Sequence, residues 1–405
     1  MTKRAFNGVK ILEYTSFVTG PYCAKLLADL GADVIKIEQP GSGDISRARG
    51  PFPGDVPDPE KSALFLYLNT NKMGITLDVK PATGSKIFKE LVKWADILIE
   101  DKAPEVMERL GMQYDVLKEI NPGLIMVSIT PFGQTGPYSN YKAHQLNVYH
   151  GSGLGYITPI EVDDPSREPL KGGGYAGDYF SGLFASLAAL GALYVKGETG
   201  LGQHVDCANQ AAVTTLQRIQ AASYANEKIT QRRTTQAEGR SGMGGRWQCK
   251  DGYVTATLAE DHQWSAFCEL LGHPEWWENE KLRQRHTRGE AVAELQPQIS
   301  EWMMKHSKEE VFHKAQALGC PVVPFRLPDE VFNDVQYRER GFFKEVNHPK
   351  AGKIRYASVP YQFSGTPWSI RYPAPLLGQH NHDIYCRLLG YSNEDLVKFR
   401  QAGII

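Results

Sequence analysis

An aspartate follows a glycine-rich segment near the middle of the chain. Asp178 comes directly after residues 172–177 (GGGYAG), and the small residues over 181–195 predict a helix that it opens. An Asp at such a position commonly caps the helix. Here the flanking glycines would let a bulky ligand reach the carboxylate. The positive end of the helix dipole would keep the carboxylate ionised for attack on an electrophile. The sequence therefore makes Asp178 the candidate nucleophile.

Other short segments share this placement, because most of them lie where a strand is predicted to end or a helix to begin. They are residues 41–44 (GSGD), 69–72 (NTNK), 77–80 (LDVK), 132–137 (FGQTGP) and 199–203 (TGLGQ). Ligands of α/β proteins bind at the edge of the sheet where the strands end. The sequence therefore indicates a ligand site at that edge.

The elements that must hold these segments alternate in type over the first 135 residues. Strands are predicted at residues 9–14, 33–38, 75–79, 97–99 and 124–129, and helices at 21–30, 85–94 and 105–110. Two longer helices, over 181–195 and 207–225, follow a glycine-rich loop. This alternation favours an α/β fold with a parallel sheet covered on both faces.

The composition changes near residue 226, where a polar segment rich in Gly and Arg begins. A smaller α/β unit is predicted over 247–325, and short strands follow Pro328. We therefore predict a large domain over residues 1–225, a linker and small domain over 226–326, and a return to the large domain over 327–405.

Composition and charge exclude several classes of protein. The 405 residues are 41% hydrophobic and 22% charged, which is typical of a soluble globular chain. With 45 Lys and Arg against 46 Asp and Glu, the net charge of -1 gives no reason to bind nucleic acid or an anionic membrane. The apolar run over 180–195 falls short of a membrane span, and we expect no signal peptide. Six scattered cysteines indicate reduced thiols, so we expect a cytoplasmic protein.

Nucleotide and metal cofactors are not indicated. Residues 15–21 (TSFVTGP) follow the first strand without the GxGxxG pattern of dinucleotide-binding enzymes, although Glu38 stands where a ribose-binding carboxylate would. His380 and His382 are the one close pair of histidines, and such pairs are more often surface loop than ligand. We expect no metal and no permanently bound cofactor.

The order of these motifs along the chain resembles that of the class III CoA-transferases. The resemblance runs from Gly20-Pro21 through residues 41–44 and Gly177-Asp178 to residues 374–379 (APLLGQ). The family includes formyl-CoA transferase and the carnitine CoA-transferase, and it is related to α-methylacyl-CoA racemase. The resemblance implies a Rossmann-like large domain whose parallel sheet is built from both chain termini. It also implies a smaller α/β domain and a homodimer of two interlocked rings.

The resemblance further implies roles for single residues. Asp178 matches the family's nucleophile, and Arg240 to Gly245, with Gly242, Gly244 and Gly245, resembles a mobile glycine loop that covers the site. A glycine-rich linker is the alternative for that loop. Positions that contact the substrate CoA match Val18, Thr19, Leu77, Asp78, Val79, Lys80, Arg109 and Lys142. The basic positions suit the phosphates of CoA. Considered one at a time, Arg109 and Lys142 are as consistent with ordinary exposed charges on the protein surface as with CoA contacts.

Two segments depart from the family pattern. Residues 100–104 (EDKAP) stand where Glu-Asn-Phe is usual before a Pro, which puts the adenine-side contacts there in doubt. His144 and Gln145 differ from formyl-CoA transferase, and racemases carry a catalytic His in this region. We therefore assign both to the acyl pocket or to a secondary catalytic role. Residues 177–183 (GDYFSGL) resemble the carnitine-type transferase instead.

The sequence thus predicts a CoA-transferase that moves CoA from an acyl-CoA donor to a free carboxylic acid. Covalent aspartyl-anhydride and aspartyl-CoA thioester intermediates would form on Asp178. The alternative is a racemase-like isomerase that uses His144 and Asp178 as an acid/base pair. A third hypothesis is a CoA-binding protein without activity of its own. The sequence leaves the acceptor acid open.

Overall fold

The computed structural model describes residues 4–235, 244–283, 285–288 and 292–405. The chain divides into two compact units. The first comprises Met1–Thr158, Leu170–Gln231 and Gly341–Ile405, and the second Pro159–Pro169 and Arg232–Arg340. The predicted boundaries, at 225/226 and 326/327, did not include the short excursion at Pro159–Pro169.

The first unit is built on a six-stranded sheet in which every neighbouring pair is parallel. Its strands are β1 (Lys10–Tyr14), β2 (Asp33–Glu38), β3 (Lys72–Thr76), β4 (Ile97–Glu100), β5 (Ile125–Thr130) and β6 (His204–Ala208). Their order across the sheet is β3-β2-β1-β4-β5-β6. The strand order therefore reverses between β1 and β4, which is where open α/β sheets form a ligand crevice.

Helices connect and cover these strands. They are α1 (Thr19–Asp29), α2 (Ala63–Leu68), α3 (Ala82–Trp94), α4 (Pro104–Arg109), α5 (Tyr114–Ile120), α6 (Gln145–Gly151), α7 (Ala176–Thr199), α8 (Asn209–Thr214) and α9 (Arg218–Glu227). One hydrophobic cluster includes α3 side chains such as Ile87 and Leu91, and another includes the small residues of α7. Strands buried on both faces explain the nearly continuous apolar runs in β4 and β5.

Strand β3 begins three residues before the predicted one. Lys72 starts it, opposite Val34 of β2, although a lysine in a buried strand is unfavourable by itself. Its ammonium lies 2.8 Å from Glu13 Oε2, so the charge is paired inside the sheet. Only the tertiary partner makes that register acceptable.

The second unit contains its own small sheet and hydrophobic cluster. Strands β7 (Gly245–Cys249), β8 (Gly252–Ala256) and β9 (Val322–Pro324) pair in that order, both pairs antiparallel. Its helices are α10 (Asp261–Leu270), α11 (Glu280–Arg283), α12 (Arg285–Arg288), α13 (Val292–Lys305), α14 (Lys308–Ala317), α15 (Pro328–Asn333) and α16 (Val335–Glu339).

The C-terminal segment returns to the first unit without adding a strand to its parallel sheet, which corrects the expectation that both termini build that sheet. Strands β10 (Phe343–His348) and β11 (Gly352–Ala357) pair with each other as a separate antiparallel hairpin. Residues after them, including helix α17 (Asn393–Gln401), pack instead beside the sheet. For example, Asp78 N donates to Ile404 O at 2.8 Å, and Tyr385 is fully buried.

Helix α7 is longer than the predicted helix over 181–195. Its length and composition would suit a membrane crossing, and a third of that apolar window is buried. One face, which includes Ala185 and Ala189, packs in the core of the first unit. Gly182 lets it approach α1 closely, since a Cβ there would lie 2.6 Å from Thr19 O. The opposite face exposes large apolar side chains, among them Leu187 and Tyr194.

Candidate active site

A cavity of ≈ 330 Å³ opens at the carboxyl edge of the parallel sheet, within the first unit. Residues that follow β1 and β4 line it, as do residues from β5 and from the first turns of α7 and α8. The lining residues are Ser16, Phe17, Val18, Thr19, Ile45, Arg49, Asp101, Lys102, Ile129, Pro131, Ala143, His144, Gln145, Val148, Asp178 and Asn209. The cavity thus lies at the position where the strand order reverses.

Asp178 lies in the first turn of α7, as predicted, and its side chain faces this cavity. It is buried, with 7% of its surface exposed. Among the described residues, none offers a hydrogen-bond donor to its Oδ2. A buried carboxylate oxygen without a partner is unusual, because desolvation is costly unless something compensates it.

Burial raises the pKa of Asp178 to about 6, and the nearby Thr19 hydroxyl and Lys171 ammonium only partly oppose this. The loss of water around the side chain therefore has a larger effect on this pKa than the stabilising groups beside it. With a pKa of about 6, the carboxyl is still mostly ionised at pH 7.

The loop between β1 and α1 is held in place by two carboxylates. Phe17 adopts a left-handed backbone conformation with φ of 70°. Its N–H donates to Asp44 Oδ1 at 3.0 Å, and the N–H of Ser16 donates to Asp101 Oδ2 at 2.7 Å. These contacts fix the loop that carries Val18 and Thr19 into the cavity.

Asp44 is itself anchored by a buried network of charges. Lys36 Nζ lies 2.8 Å from Asp44 Oδ2 and 2.8 Å from Glu13 Oε1, and Glu13 also pairs with Lys72. The Lys36 ammonium holds the pKa of Asp44 below its usual range, against the opposing effect of burial. The GSGD segment thus serves to position the loop beside the cavity.

The turn after β4 supplies an internally paired acid and base. Lys102 Nζ lies 2.5 Å from Asp101 Oδ1 and 4.7 Å from the centre of the Tyr14 ring. The N–H of Lys102 donates to Glu100 Oε2 at 2.7 Å. Burial raises the pKa of Glu100 to about 7. In the segment 100–104, which departs from the family pattern, Asp101 and Lys102 therefore contribute one negative and one positive charge to the cavity wall.

The structure brings five of the predicted site residues together around the cavity: Val18, Thr19, His144, Gln145 and Asp178. His144 is exposed and precedes α6, and its N–H donates to Asn147 Oδ1 at 2.9 Å. Gln145 Nε2 donates to Gly174 O at 3.1 Å, so it contacts the glycine-rich loop before Asp178.

The other predicted CoA contacts do not line the cavity. Leu77 and Val79 are buried in the core, Asp78 Oδ1 accepts from Lys80 N at 3.1 Å, and all four residues follow β3. Arg109 ends α4 and Lys142 precedes α6, and both side chains are exposed. Their contact with CoA stays a prediction.

The predicted glycine loop lies only in part within the described residues. Gly242 falls outside them. Gly244 precedes β7 in the second unit, and Gly245 is the first residue of that strand rather than part of a loop. A Cβ on Gly244 would lie 3.0 Å from Ala256 O, so this glycine allows close strand pairing.

The sequence analysis did not name Arg49 or Asn209, and it treated Asp101 and Lys102 only as part of a segment that departs from the family pattern. Asp101 and Lys102 follow β4, and Asn209 follows β6, so their position at strand ends was the available signal. Arg49 lies directly after the 3₁₀ turn that follows the GSGD segment. Which of these side chains face the cavity depends on the reversal in strand order, which the sequence does not display.

Comparisons with known proteins agree with this architecture. The chain matches the family model for CoA-transferase family III over residues 6–381. It is 32% identical to a formyl-CoA:oxalate CoA-transferase of Rhodopseudomonas palustris (strain BisA53), covering 100% of this chain and 98% of the relative. It is 33% identical to a succinyl-CoA:glutarate CoA-transferase of Homo sapiens, covering 99% and 90%.

Solved structures show the same fold. A CAIB/BAIF family protein from Brucella suis superposes with a TM-score of 0.82 at 28% identity, covering 96% of this chain and 100% of that one. The match to Rv3272 from M. tuberculosis has a TM-score of 0.81 at 25% identity, covering 94% and 99%. With a family match across most of its length and full-length relatives above 30% identity, the chain belongs to CoA-transferase family III and is a transferase.

Proposed function

We propose that the protein moves CoA from an acyl-CoA to a free carboxylic acid, with Asp178 as the covalent nucleophile. The observation that carries this proposal is the state of Asp178. Its carboxyl is buried at the cavity wall with one oxygen unpartnered among the described residues. A poorly solvated carboxylate loses little hydration when it attacks a substrate carbonyl.

The first half of the reaction loads the enzyme. An Asp178 oxygen attacks the thioester carbonyl, the carbon–sulfur bond breaks, and CoA leaves as a thiolate. The thiolate then attacks the aspartyl carbonyl of the mixed anhydride. This step forms an aspartyl-CoA thioester and releases the donor acid, which takes one oxygen from Asp178.

The second half runs in the opposite sense with another acid. The acceptor carboxylate attacks the aspartyl thioester and expels the thiolate, which then attacks the acceptor carbonyl of the new anhydride. Acyl-CoA is released, and Asp178 regains a carboxylate. First-turn N–H groups near Gly177 have no acceptor within the helix and can stabilise the charge that develops on each carbonyl oxygen.

Coenzyme A would extend from the cavity along the carboxyl edge of the sheet. In this proposal Val18 and Thr19 contact the arm near the sulfur, and Leu77 to Lys80 lie at the end of β3 on the same edge. Arg109 and Lys142 would pair with phosphates, which suits their exposed cationic side chains. The acids named for the two relatives above, oxalate and glutarate, are the first acceptors to assay.

A homodimer is part of the proposal. The outward face of α7 exposes Phe180, Leu183, Phe184, Leu187, Tyr194 and Val195. A contiguous apolar surface of this kind is typical of an interface. A second copy of the chain, threaded as interlocked rings, would remove it from water.

The decisive experiment is to look for the covalent adduct. The wild-type protein is incubated with a panel of acyl-CoAs, without acceptor, and analysed by intact-protein mass spectrometry and peptide mapping. We expect a CoA thioester on Asp178 that disappears when an acceptor acid is added. Asp178→Ala should fold but form no adduct and transfer no CoA. Transfer by a folded Asp178→Ala protein would disprove the role of Asp178.

A racemase-like isomerase remains the second candidate, because His144 and Asp178 line the same cavity. Such an enzyme would use them as acid and base on either side of the carbon next to the thioester. Incubation with a 2-methylacyl-CoA in D₂O, with no carboxylic acid added, distinguishes the two. A transferase should leave C2 unlabelled, and His144→Gln should still form the adduct. Rapid labelling that is lost in His144→Gln would favour the isomerase.

A further inference from the structure

Besides His144, the cavity wall contains two cationic side chains among its described residues, Arg49 and Lys102, and they differ in whether they are paired. The Lys102 ammonium is balanced by Asp101 at 2.5 Å, and Asp101 is further held by the N–H of Ser16. Arg49 lines the same cavity and is exposed, and no described residue forms an ion pair or hydrogen bond with its guanidinium.

The backbone of Arg49 is nevertheless fixed. It ends the 3₁₀ turn Ile45–Ala48, where its N–H donates to Ser46 O at 3.0 Å. Its carbonyl oxygen accepts from the buried Ser62 hydroxyl at 2.6 Å. Arg47, two residues earlier, has the opposite role, because its buried guanidinium is fully engaged with Glu38 and Glu60. The turn therefore contains Arg47, whose ion pairs are structural, and is followed by Arg49, which lines the cavity.

The proposed reaction changes the charge around Arg49. Once Asp178 carries CoA, its negative charge is gone and the Asp101–Lys102 pair is neutral, so Arg49 is the uncompensated charge of these groups. A monocarboxylic acceptor also loses its charge when it becomes an anhydride or thioester. A second carboxylate on the acceptor would keep its charge throughout and form a bidentate pair with the guanidinium.

From this we infer that Arg49 is a specificity-determining residue that binds the distal carboxylate of a dicarboxylic acyl group, while Asp178 reacts at the other end. The inference rests on the proposed function and names the substrate class of that site. The phosphates of CoA are a poorer match for Arg49. The long pantetheine arm separates them from the sulfur, which must reach Asp178 in this same cavity.

The test compares paired acceptors that differ in one charge. Transfer is measured with succinate, glutarate and adipate and with the monomethyl ester of each, at a fixed saturating concentration of one acyl-CoA donor. The wild type should prefer at least one diacid over its ester. In Arg49→Gln the ratio of kcat/KM for diacid over ester should fall about 10- to 100-fold, through KM for the acid, and Arg49→Lys should recover part of it.

The control variant is Arg387→Gln, which removes an exposed arginine that pairs with Asp383 outside the cavity, and it should keep the wild-type ratio. The inference is wrong if the wild type prefers no diacid, or if Arg49→Gln lowers diacid and ester transfer equally. In a separate titration of the acyl-CoA at a fixed acceptor concentration, an increase in KM for the acyl-CoA with every acceptor would assign Arg49 to CoA phosphates instead. Adduct formation by Arg49→Gln with donor alone tests the Asp178 chemistry separately.

Discussion

At the residue scale, burial disfavours the charged form of Asp178, which bears on its proposed reactivity and on the stability of the fold. Only the ionised carboxylate can attack a thioester, and burial raises its pKa to about 6. The rate of adduct formation should therefore rise with pH and level off above about pH 7. Below the pKa it should fall about tenfold per pH unit. Stopped-flow measurement of CoA loading from pH 5 to 8 checks this, and a flat profile would contradict it.

The raised pKa of Asp178 also predicts how the free energy of unfolding depends on pH. A carboxyl whose pKa is raised on folding binds its proton more tightly when folded, so stability falls as pH rises from about 4 to 6. Asp178→Asn should remove this penalty and increase the free energy of unfolding by about 1–3 kcal/mol at pH 8, with little gain at pH 4. Urea unfolding at one protein concentration measures the change in the free energy of unfolding. The control is Asp163→Asn, which changes an exposed aspartate. Equal gains at both pH values would refute the burial argument.

At the scale of elements, α7 carries Asp178, the proposed nucleophile, and packs closely against α1. A Cβ on Gly182 would lie 2.6 Å from Thr19 O, and backbone cannot yield as a flexible side chain does. We expect Gly182→Ala to separate the helices, cost about 1–3 kcal/mol of stability and lower adduct formation about tenfold.

A matched glycine in the same helix provides the control for Gly182→Ala. A Cβ on Gly197 would meet no atom within 4 Å, so Gly197→Ala should be neutral or slightly stabilising, since alanine favours a helix. Thermal unfolding and CoA loading of both variants test the contact. If both alanines behaved alike, close packing of α7 on α1 would not be what orients Asp178.

At the scale of the whole molecule, the proposed homodimer can be tested by its mass and through the exposed apolar face of α7. The 45.2-kDa chain should sediment as a dimer even at low concentration, because threaded rings do not separate without unfolding. A monomer mass would contradict the dimer. Leu187→Glu, at a position 63% exposed in the single chain, should reduce the yield of dimer. Val397→Glu, 52% exposed on α17, should leave it unchanged.

Local patterns in the sequence were enough to predict much of the fold. Apolar runs as in β4 and β5 identify buried parallel strands, because their side chains face helices on both sides. The position of Asp178 near the start of α7 was predicted in the same way, from glycines before it and a small-residue helix after it. These features depend on neighbours along the chain, which is what a sequence displays.

The tertiary structure decided features that depend on distant partners. Lys72 belongs to a buried strand only because Glu13 lies beside it, and the C-terminal strands pair with each other rather than with the sheet. Arg49 and Lys102 line one cavity because the strand order reverses between β1 and β4. The pKa of Asp178 is raised because packing removes water from it. Desolvation and ion pairing arise from residues far apart in the chain, so only the folded arrangement determines them.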